Sequence, residues 1–436
     1  MPLRIHTSGS TFESAFAAFL QTKREVAADV TQDVVRIIED VRARGDTAVL
    51  DYAEQFDGQN LTADSLRISR DEIAKSADAA PAPAKNALVA AARRIEDFHR
   101  HQVPVDLQFE DSDGVGLGYR WTPIASVGLY VPGGSAAYPS TVLMTALPAK
   151  VAGVDRMAMV VSTRDGPLHP MVAVAAELAG VVEIYRIGGA HAIAALALGT
   201  EAIPAVDKIV GPGNAYVTAA KRQMFGTVGI DMIAGPSEIL VVADTDNDPA
   251  WIAADLLSQA EHDESAQAIL MTDDEAFADS VERAISDQLS RLERASIASA
   301  AWRDYGAIII LKTLEGAPQL IDRIAPEHLE LAVAQPERLA EQVRNAGAIF
   351  LGRYTPEAVG DYIAGPSHVL PTARSARFSS GLSVLDFMKR TSLVRCDAQS
   401  LRAVGPAAAV IAESEGFGAH ALSLNIRLND DGNSET

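Results

Sequence analysis

A chain of 436 residues with 48% hydrophobic side chains is long enough for two or three domains, each with its own core. A formal charge of −21, with no Lys/Arg-rich run to reverse it locally, argues against a nucleic-acid partner and favours a small neutral or cationic substrate. The single cysteine, Cys396, excludes an intramolecular disulfide and a cysteine-ligated metal cluster, and is expected to be a structural thiol.

No apolar run of about 18 residues occurs and Met1 to His6 carries no apolar signal region, which predicts a cytoplasmic protein with no membrane partner. Fraying is expected only in the tail, Asn429 to Thr436. The helical period of Val34, Ile37, Ile38 and Val41, with Thr31 as N-cap and Gly45 as stop, predicts a first helix. A second follows Pro81 and Pro83, from Ala84 to His101, before Pro104 breaks it. His99 and His101 lie two apart on this helix, point to different sides and share no metal.

After Trp121 the pattern changes to apolar strands at Ile124–Val131, Arg156–Ser162, Val182–Ile187 and Lys208–Val210, each separated by a helical stretch. That alternation predicts parallel βαβ units, which bind ligands beyond the carboxyl ends of their strands. Those ends carry Pro132-Gly133-Gly134, Gly188-Gly189-Ala190 and Gly211-Pro212-Gly213-Asn214, where backbone N–H groups can approach a phosphate, although the third glycine of a dinucleotide fingerprint is missing. A second alternation runs through Ile239–Ala243, Ala268–Met271, Ala307–Leu311, Leu329–Val333 and Ala348–Leu351. Two α/β units are therefore predicted. Asp231–Leu240 and Asp361–Leu370 are identical at seven of ten positions, which either a duplication or two separate Gly-Pro turns explains. Beyond Gly381 a helix is expected from Pro406 to Glu415, then an apolar run through Ile426, a tail that packs on the body or on a neighbouring subunit.

Within the second alternation, Asp248-Pro249 is a strong helix start, and Gln259 and His262 near its end leave one face three residues apart, as metal ligands do. A polar helix end facing water has the same spacing. Further ligands would have to come from Glu327-His328, from Gly360-Asp361-Tyr362 running to His368, or from Glu415 to His420, and spacing does not choose. In Glu327-His328, Pro326 favours an extended backbone at Ala325, so the two side chains would face opposite sides, one towards a substrate and one towards a water.

Seven stretches taken together carry a resemblance: Tyr130-Val-Pro-Gly-Gly-Ser-Ala-Ala-Tyr-Pro-Ser140, Val210-Gly-Pro-Gly-Asn214, Ile233-Ala-Gly-Pro-Ser-Glu238, Gln259-Ala-Glu-His262, Glu327-His-Leu-Glu330, His368-Val-Leu-Pro371 and Phe378-Ser-Ser-Gly-Leu-Ser-Val384. In this order, from about Thr31 to Arg427, the chain resembles the histidinol dehydrogenases. The resemblance implies a fold of two incomplete Rossmann-like parallel-sheet domains with a helical N-terminal region and a C-terminal tail exchanged in a homodimer. On that reading residues 1–30 are an N-terminal segment, 31–129 with 237–381 a first α/β domain, 130–236 a second that binds NAD, and 382–436 the tail.

The implied reaction oxidises L-histidinol through L-histidinaldehyde to L-histidine with two NAD, the last step of histidine biosynthesis. The implied zinc, one per subunit, would be held by Gln259, His262, Asp361 and His420, with His420 reaching across from the partner's tail. Glu327 and His328 would do the proton work; Ser237 and Glu415 would bind substrate together with His328 and the metal shell; Tyr130 and Asn214 would contact NAD. His191 stands where such proteins usually have Gln, so its cofactor contact is expected to make NAD binding weaker or pH-sensitive. Alternatives are a paralogous dehydrogenase of another small polyol, or a zinc hydrolase that uses Glu327 to activate water without nicotinamide.

Overall fold

The computed structural model describes residues 2–22, 30–133, 137–164 and 166–429. Gly134, Ser135 and Ala136 of the glycine-rich stretch, and residues 430–436 of the expected frayed tail, lie outside the described residues. The chain divides into two compact units: Met1–Gln102 with Ile124–Phe387, and Val103–Pro123 with Met388–Thr436.

The first unit is mixed α/β and holds two wholly parallel sheets. One has five strands, ordered β6 (Glu183–Tyr185), β5 (Arg156–Val161), β4 (Ser126–Val131), β7 (Lys208–Val210) and β8 (Gly229–Ile230). The other has six, ordered β1 (Leu3–His6), β11 (Ala307–Ile310), β10 (Gln267–Thr272), β9 (Glu238–Ala243), β12 (His328–Ala332) and β13 (Ala348–Leu351). Setting β1 aside, both sheets place their strands in the order third, second, first, fourth, fifth along the chain. The order reverses between β4 and β7 in one and between β9 and β12 in the other, the switch points at which such sheets open a crevice.

Burial on both faces explains the unbroken apolar runs of the inner strands. On β9, Ile239 and Val241 pack with Ile252, Leu256 and Trp302, whereas Leu240 and Val242 pack with Phe16, Leu320 and Ile321 on the other face. Tyr130 and Val160 of the five-strand sheet join Val34, Ile37 and Val41 from the Thr31–Arg44 helix. Thr31 is that helix's first residue, with Val30 at the cap, one position earlier than the sequence suggests; Gly45 closes it as expected. Strand β1 was not foreseen: four residues without a run of their own pair with β11 at the sheet edge. The two Ile-Ala-Gly-Pro-Ser stretches sit in different surroundings, the first leading into β9, the second leaving the Glu357–Tyr362 helix for irregular chain.

The second unit is an antiparallel sheet, β14 (Met388–Arg395) against β3 (Gly116–Pro123) against β2 (Leu107–Glu110), with a pair of helices, Ala398–Ser414 and Gly418–Leu428. The first helix starts at Asp397, whose carboxylate accepts from Ser400 N at 2.8 Å, so Pro406 lies inside it rather than at its start. Cys396 is exposed, not a packed structural thiol. The helix pair leaves Val410, Ile411, Phe417, Leu422 and Ile426 exposed. Among the described residues no helix is long and apolar enough to cross a membrane.

Candidate active site

A cleft of about 360 Å³ in the first unit lies at the switch point of the five-strand sheet and beside the amino ends of β9 and β12. From the five-strand sheet it receives the carboxyl ends of β4 and β7, through Pro132 and Gly211-Pro212-Gly213-Asn214. From the six-strand sheet it receives the opposite, amino ends: Ser237 before β9, and Glu327 and His328 at the start of β12. The Pro249–Ala260 helix runs back between β9 and β10, so its end brings Gln259 and His262 to the same place. Asp248 caps its start as predicted, accepting from Ala250 N at 2.8 Å, with Pro249 at the first position.

The β7 loop is built from backbone. Gly211 has φ +117° and a Cβ there would stand 2.2 Å from the Tyr130 carbonyl oxygen, so only glycine fits. Lys221, buried, donates to Gly211 O at 2.9 Å and pairs with the buried Asp231, whose other oxygen accepts from Gly211 N at 2.7 Å. Asn214 caps the Ala215–Met224 helix through Val217 N at 3.1 Å, turning that helix N-terminus to the cleft.

Side chains make the opposite wall. Glu327 and His328 are 6% and 4% exposed and lie 3.6 Å apart. Their backbone is not reached as the sequence suggests: Ala325 closes the preceding helix in the left-handed region, φ +50° and ψ +61°, because its N–H caps Ile321 O at 2.7 Å. That cap outweighs the extended preference before Pro326. Nor do the two side chains face apart into water; both are buried. The His328 Nδ1 faces the Glu238 carbonyl at 2.9 Å and so carries a proton, leaving Nε2 towards Asp361 at 3.7 Å and Glu357 at 3.8 Å. Burial pushes the Glu327 carboxyl up to about 7. Burial opposes charge on the His328 ring, yet Glu327, Asp361 and Glu357 outweigh it and raise the ring to about 10. Burial also works against Asp361, but its bond to His328 and the nearby His368 keep it below the usual carboxylate range.

Behind His328 stand more acids. Glu357 receives the Ser258 hydroxyl at 3.1 Å, and burial raises it to about 8; Glu330 is raised to about 9 by burial and by Asp255, which burial itself raises to about 6. Sequence reasoning passed over Glu238, Glu330 and Glu357. A charged residue at the head of the apolar run Glu238–Ala243, and another inside Leu329–Val333, were the available signals.

Two donor sets face this wall and share Asp361. His328, Glu357 and Asp361 offer ligand atoms all within 4.8 Å of one another, a group that can hold a cation. Gln259 and His262 offer the second. Gln259 is 1% exposed and its Oε1 is buried without a hydrogen-bond partner, while His262 Nδ1 lies 2.9 Å from Ser258 O, which fixes the proton there and frees Nε2. An orphaned amide oxygen beside a histidine with its free nitrogen outward is chemistry that suits a divalent metal.

Other residues singled out from the sequence lie elsewhere. Tyr130 is buried behind the cleft, its hydroxyl accepting from Gly189 N at 3.1 Å. His191 is 1% exposed against the rings of Tyr52 and Phe56, and both its nitrogens lack a partner. Burial depresses the ring to about 4, which favours its neutral form. Glu415 and His420 belong to the second unit, where both are exposed.

An α/β protein that faces the glycine-lined switch point of one parallel sheet with a buried Glu–His pair and metal-type donors from another has the parts of a dehydrogenase. Residues 20–428 match the family of histidinol dehydrogenases. The histidinol dehydrogenases of Rhodospirillum rubrum and Rhizobium meliloti are 63% and 61% identical to the chain, each over 98% of it and 99% of their own length. The crystal structure of histidinol dehydrogenase from Elizabethkingia anophelis superposes with a TM-score of 0.93 at 37% identity, covering 98% of both chains. The chain belongs to the histidinol dehydrogenase family, and by that membership is an oxidoreductase of histidine biosynthesis.

Proposed function

We propose that the protein oxidises L-histidinol to L-histidine through L-histidinaldehyde, reducing two NAD in sequence. The observation that carries this reading is the buried Glu327–His328 pair set between the glycine loop of β7 and the donors Gln259, His262 and Asp361. NAD fits the β7 side, where Gly211, Gly213 and Asn214 bring backbone and a helix N-terminus to the cleft. Tyr130 would act there through the Gly188–Gly189 turn, its hydroxyl accepting from Gly189 N, and His191 through the helix that this turn opens.

Gln259, His262 and Asp361 would hold a zinc ion, with the partner subunit's His420 as fourth ligand. When bound, the metal supplies a fixed positive centre for the imidazole and amino nitrogens of the substrate, which orients the reacting carbon. Ser237 and the partner subunit's Glu415 complete substrate binding. Support for the exchanged dimer is the apolar face left open on the two tail helices, where Phe417 packs on His420 with ring centroids 5.3 Å apart.

His328, in its neutral form, receives the hydroxyl proton on Nε2 as the first hydride leaves for NAD; a cation held by Asp361 would offset the carboxylates that otherwise keep the ring protonated. Glu327, as carboxylate, takes a proton from the water that adds to the aldehyde, and the hydrate loses the second hydride. Overall the alcohol and one water give up two hydrides and three protons to become a carboxylate. Burial excludes bulk water from both groups and strengthens their interaction with developing charge.

Purified, zinc-loaded protein should reduce NAD only when L-histidinol is present, and should lose that activity on chelation. Turnover of another small polyol in place of histidinol would indicate a paralogue, and hydrolysis without NAD reduction would indicate a zinc hydrolase.

A further inference from the structure

We infer that Glu238 is a positioning residue for the proton-transfer pair, with its carboxylate serving Glu327 and its backbone carbonyl serving His328. The inference rests on the roles given above to those two groups. Strands β9 and β12 are neighbours, and the register that pairs His328 with Ile239 sets Glu327 beside Glu238. Two buried carboxylates thus stand side by side; Glu238 is 2% exposed. Such a pair is costly unless each acid finds donors.

The donors come from the two backbones. Glu238 N donates to Glu327 Oε2 at 2.8 Å, and Glu327 N donates to Glu238 Oε2 at 3.3 Å. The other Glu238 oxygen accepts from Ala373 N at 2.9 Å, at a non-glycine residue held at φ +51°. Next to it, Thr372 lines the cleft and accepts from Gly235 N at 2.5 Å through its hydroxyl. The carboxylate therefore joins the base, from the strand side, to the 372–373 wall of the cleft. From the far side Glu327 O accepts Ala348 N at 2.9 Å, so the backbone of the base is held at both ends.

The two services of Glu238 are separable by chemistry. Its carbonyl, which fixes the His328 proton on Nδ1, survives any side-chain replacement. Its two carboxylate oxygens accept two backbone N–H groups, and an amide cannot do both, because its NH₂ would face a donor. Replacing the side chain should therefore disturb the step that needs Glu327 and spare the step that needs His328. A residue of merely structural importance would slow both alike.

The test compares Glu238→Gln with Glu327→Gln in the zinc-loaded full chain. NADH formation from L-histidinaldehyde reads the second step, and the first-hydride phase of a single turnover with L-histidinol reads the first. For Glu238→Gln we expect the second step to fall about 10- to 100-fold and the first by less than about threefold, with zinc content and the KM for L-histidinol unchanged. Glu238→Ala should be slower again in the second step, since it removes both acceptors. Should Glu238→Gln fail to fold, Glu238→Asp carries the same comparison, because it keeps the charge and loses the reach. Equal slowing of both steps by Glu238→Gln, where Glu327→Gln separates them, overturns the inference alone. If Glu327→Gln slows both steps equally, the role of Glu327 falls and the positioning role with it.

Discussion

The two parallel sheets share a strand order and a switch point, yet they meet the cleft with opposite ends and different materials. The five-strand sheet presents the carboxyl ends of its strands, where Gly211, Gly213 and a helix N-terminus expose backbone donors. The six-strand sheet presents amino ends, where the buried Glu327 and His328 turn side chains that titrate to the cleft. Backbone donors bind charge without gaining or losing protons, whereas buried carboxyl and imidazole groups exchange them. Topology thus accounts for the cleft at the carboxyl ends of the five-strand sheet, whereas at the amino ends of the six-strand sheet the residues themselves make the wall.

The comparison breaks most sharply at Glu327. Glu327→Gln should lower aldehyde oxidation by about 10³-fold and alcohol oxidation far less. Because burial holds this carboxyl at about 7 and its ionised form is the base, aldehyde oxidation in the parent should rise with pH through about 7 and then level. The variant should lose that rise; a persisting rise would place the base elsewhere.

On the same wall, His262→Ala should weaken zinc retention by about 10- to 100-fold, read by elemental analysis after dialysis. Unchanged zinc would move the metal to His328, Glu357 and Asp361, the other donor set. The opposite wall should respond differently. Gly211→Ala puts a methyl group against the Tyr130 carbonyl at a backbone angle that costs about 1–3 kcal/mol for other residues. It should raise the KM for NAD about tenfold and leave zinc content alone; altered zinc with unaltered NAD affinity would contradict the division between walls.

The smallest effect concerns Glu330. Burial and Asp255 raise its carboxyl from an ordinary 4.5 to about 9, so its contribution to stability is complete below about 4.5 and fades as pH climbs towards 9. Glu330→Gln imitates the protonated acid. Its melting temperature relative to the parent should therefore increase between about pH 5 and pH 9, and an offset equal at both would refute the buried proton.

Much of this was legible because its signals are local. The apolar runs of the inner strands, the Asp248-Pro249 start and the spacing of Gln259 and His262 need only neighbouring residues to be read. What escaped depends on contacts distant in sequence. Glu238, Glu330 and Glu357 are buried only because β9, β12 and two helices assemble around them. Strand β1 takes its identity from β11, some 300 residues away in sequence, whereas β2 and β3 carry a local signal, Leu107 and Phe109 alternating and Leu117, Tyr119 and Trp121 alternating onto one face. At Ala325 a helix cap overruled a dipeptide preference, and at His191 packing against Tyr52 and Phe56 buries the ring.

The reading that one cleft carries out both oxidations is tested most directly by stoichiometry. Zinc-loaded protein is incubated to completion with limiting L-histidinol and excess NAD, and the NADH formed is counted. Two NADH per histidinol, with L-histidine as the product, is the expected result. One NADH, with L-histidinaldehyde released, would contradict the assignment of Glu327 to a second oxidation in the same site.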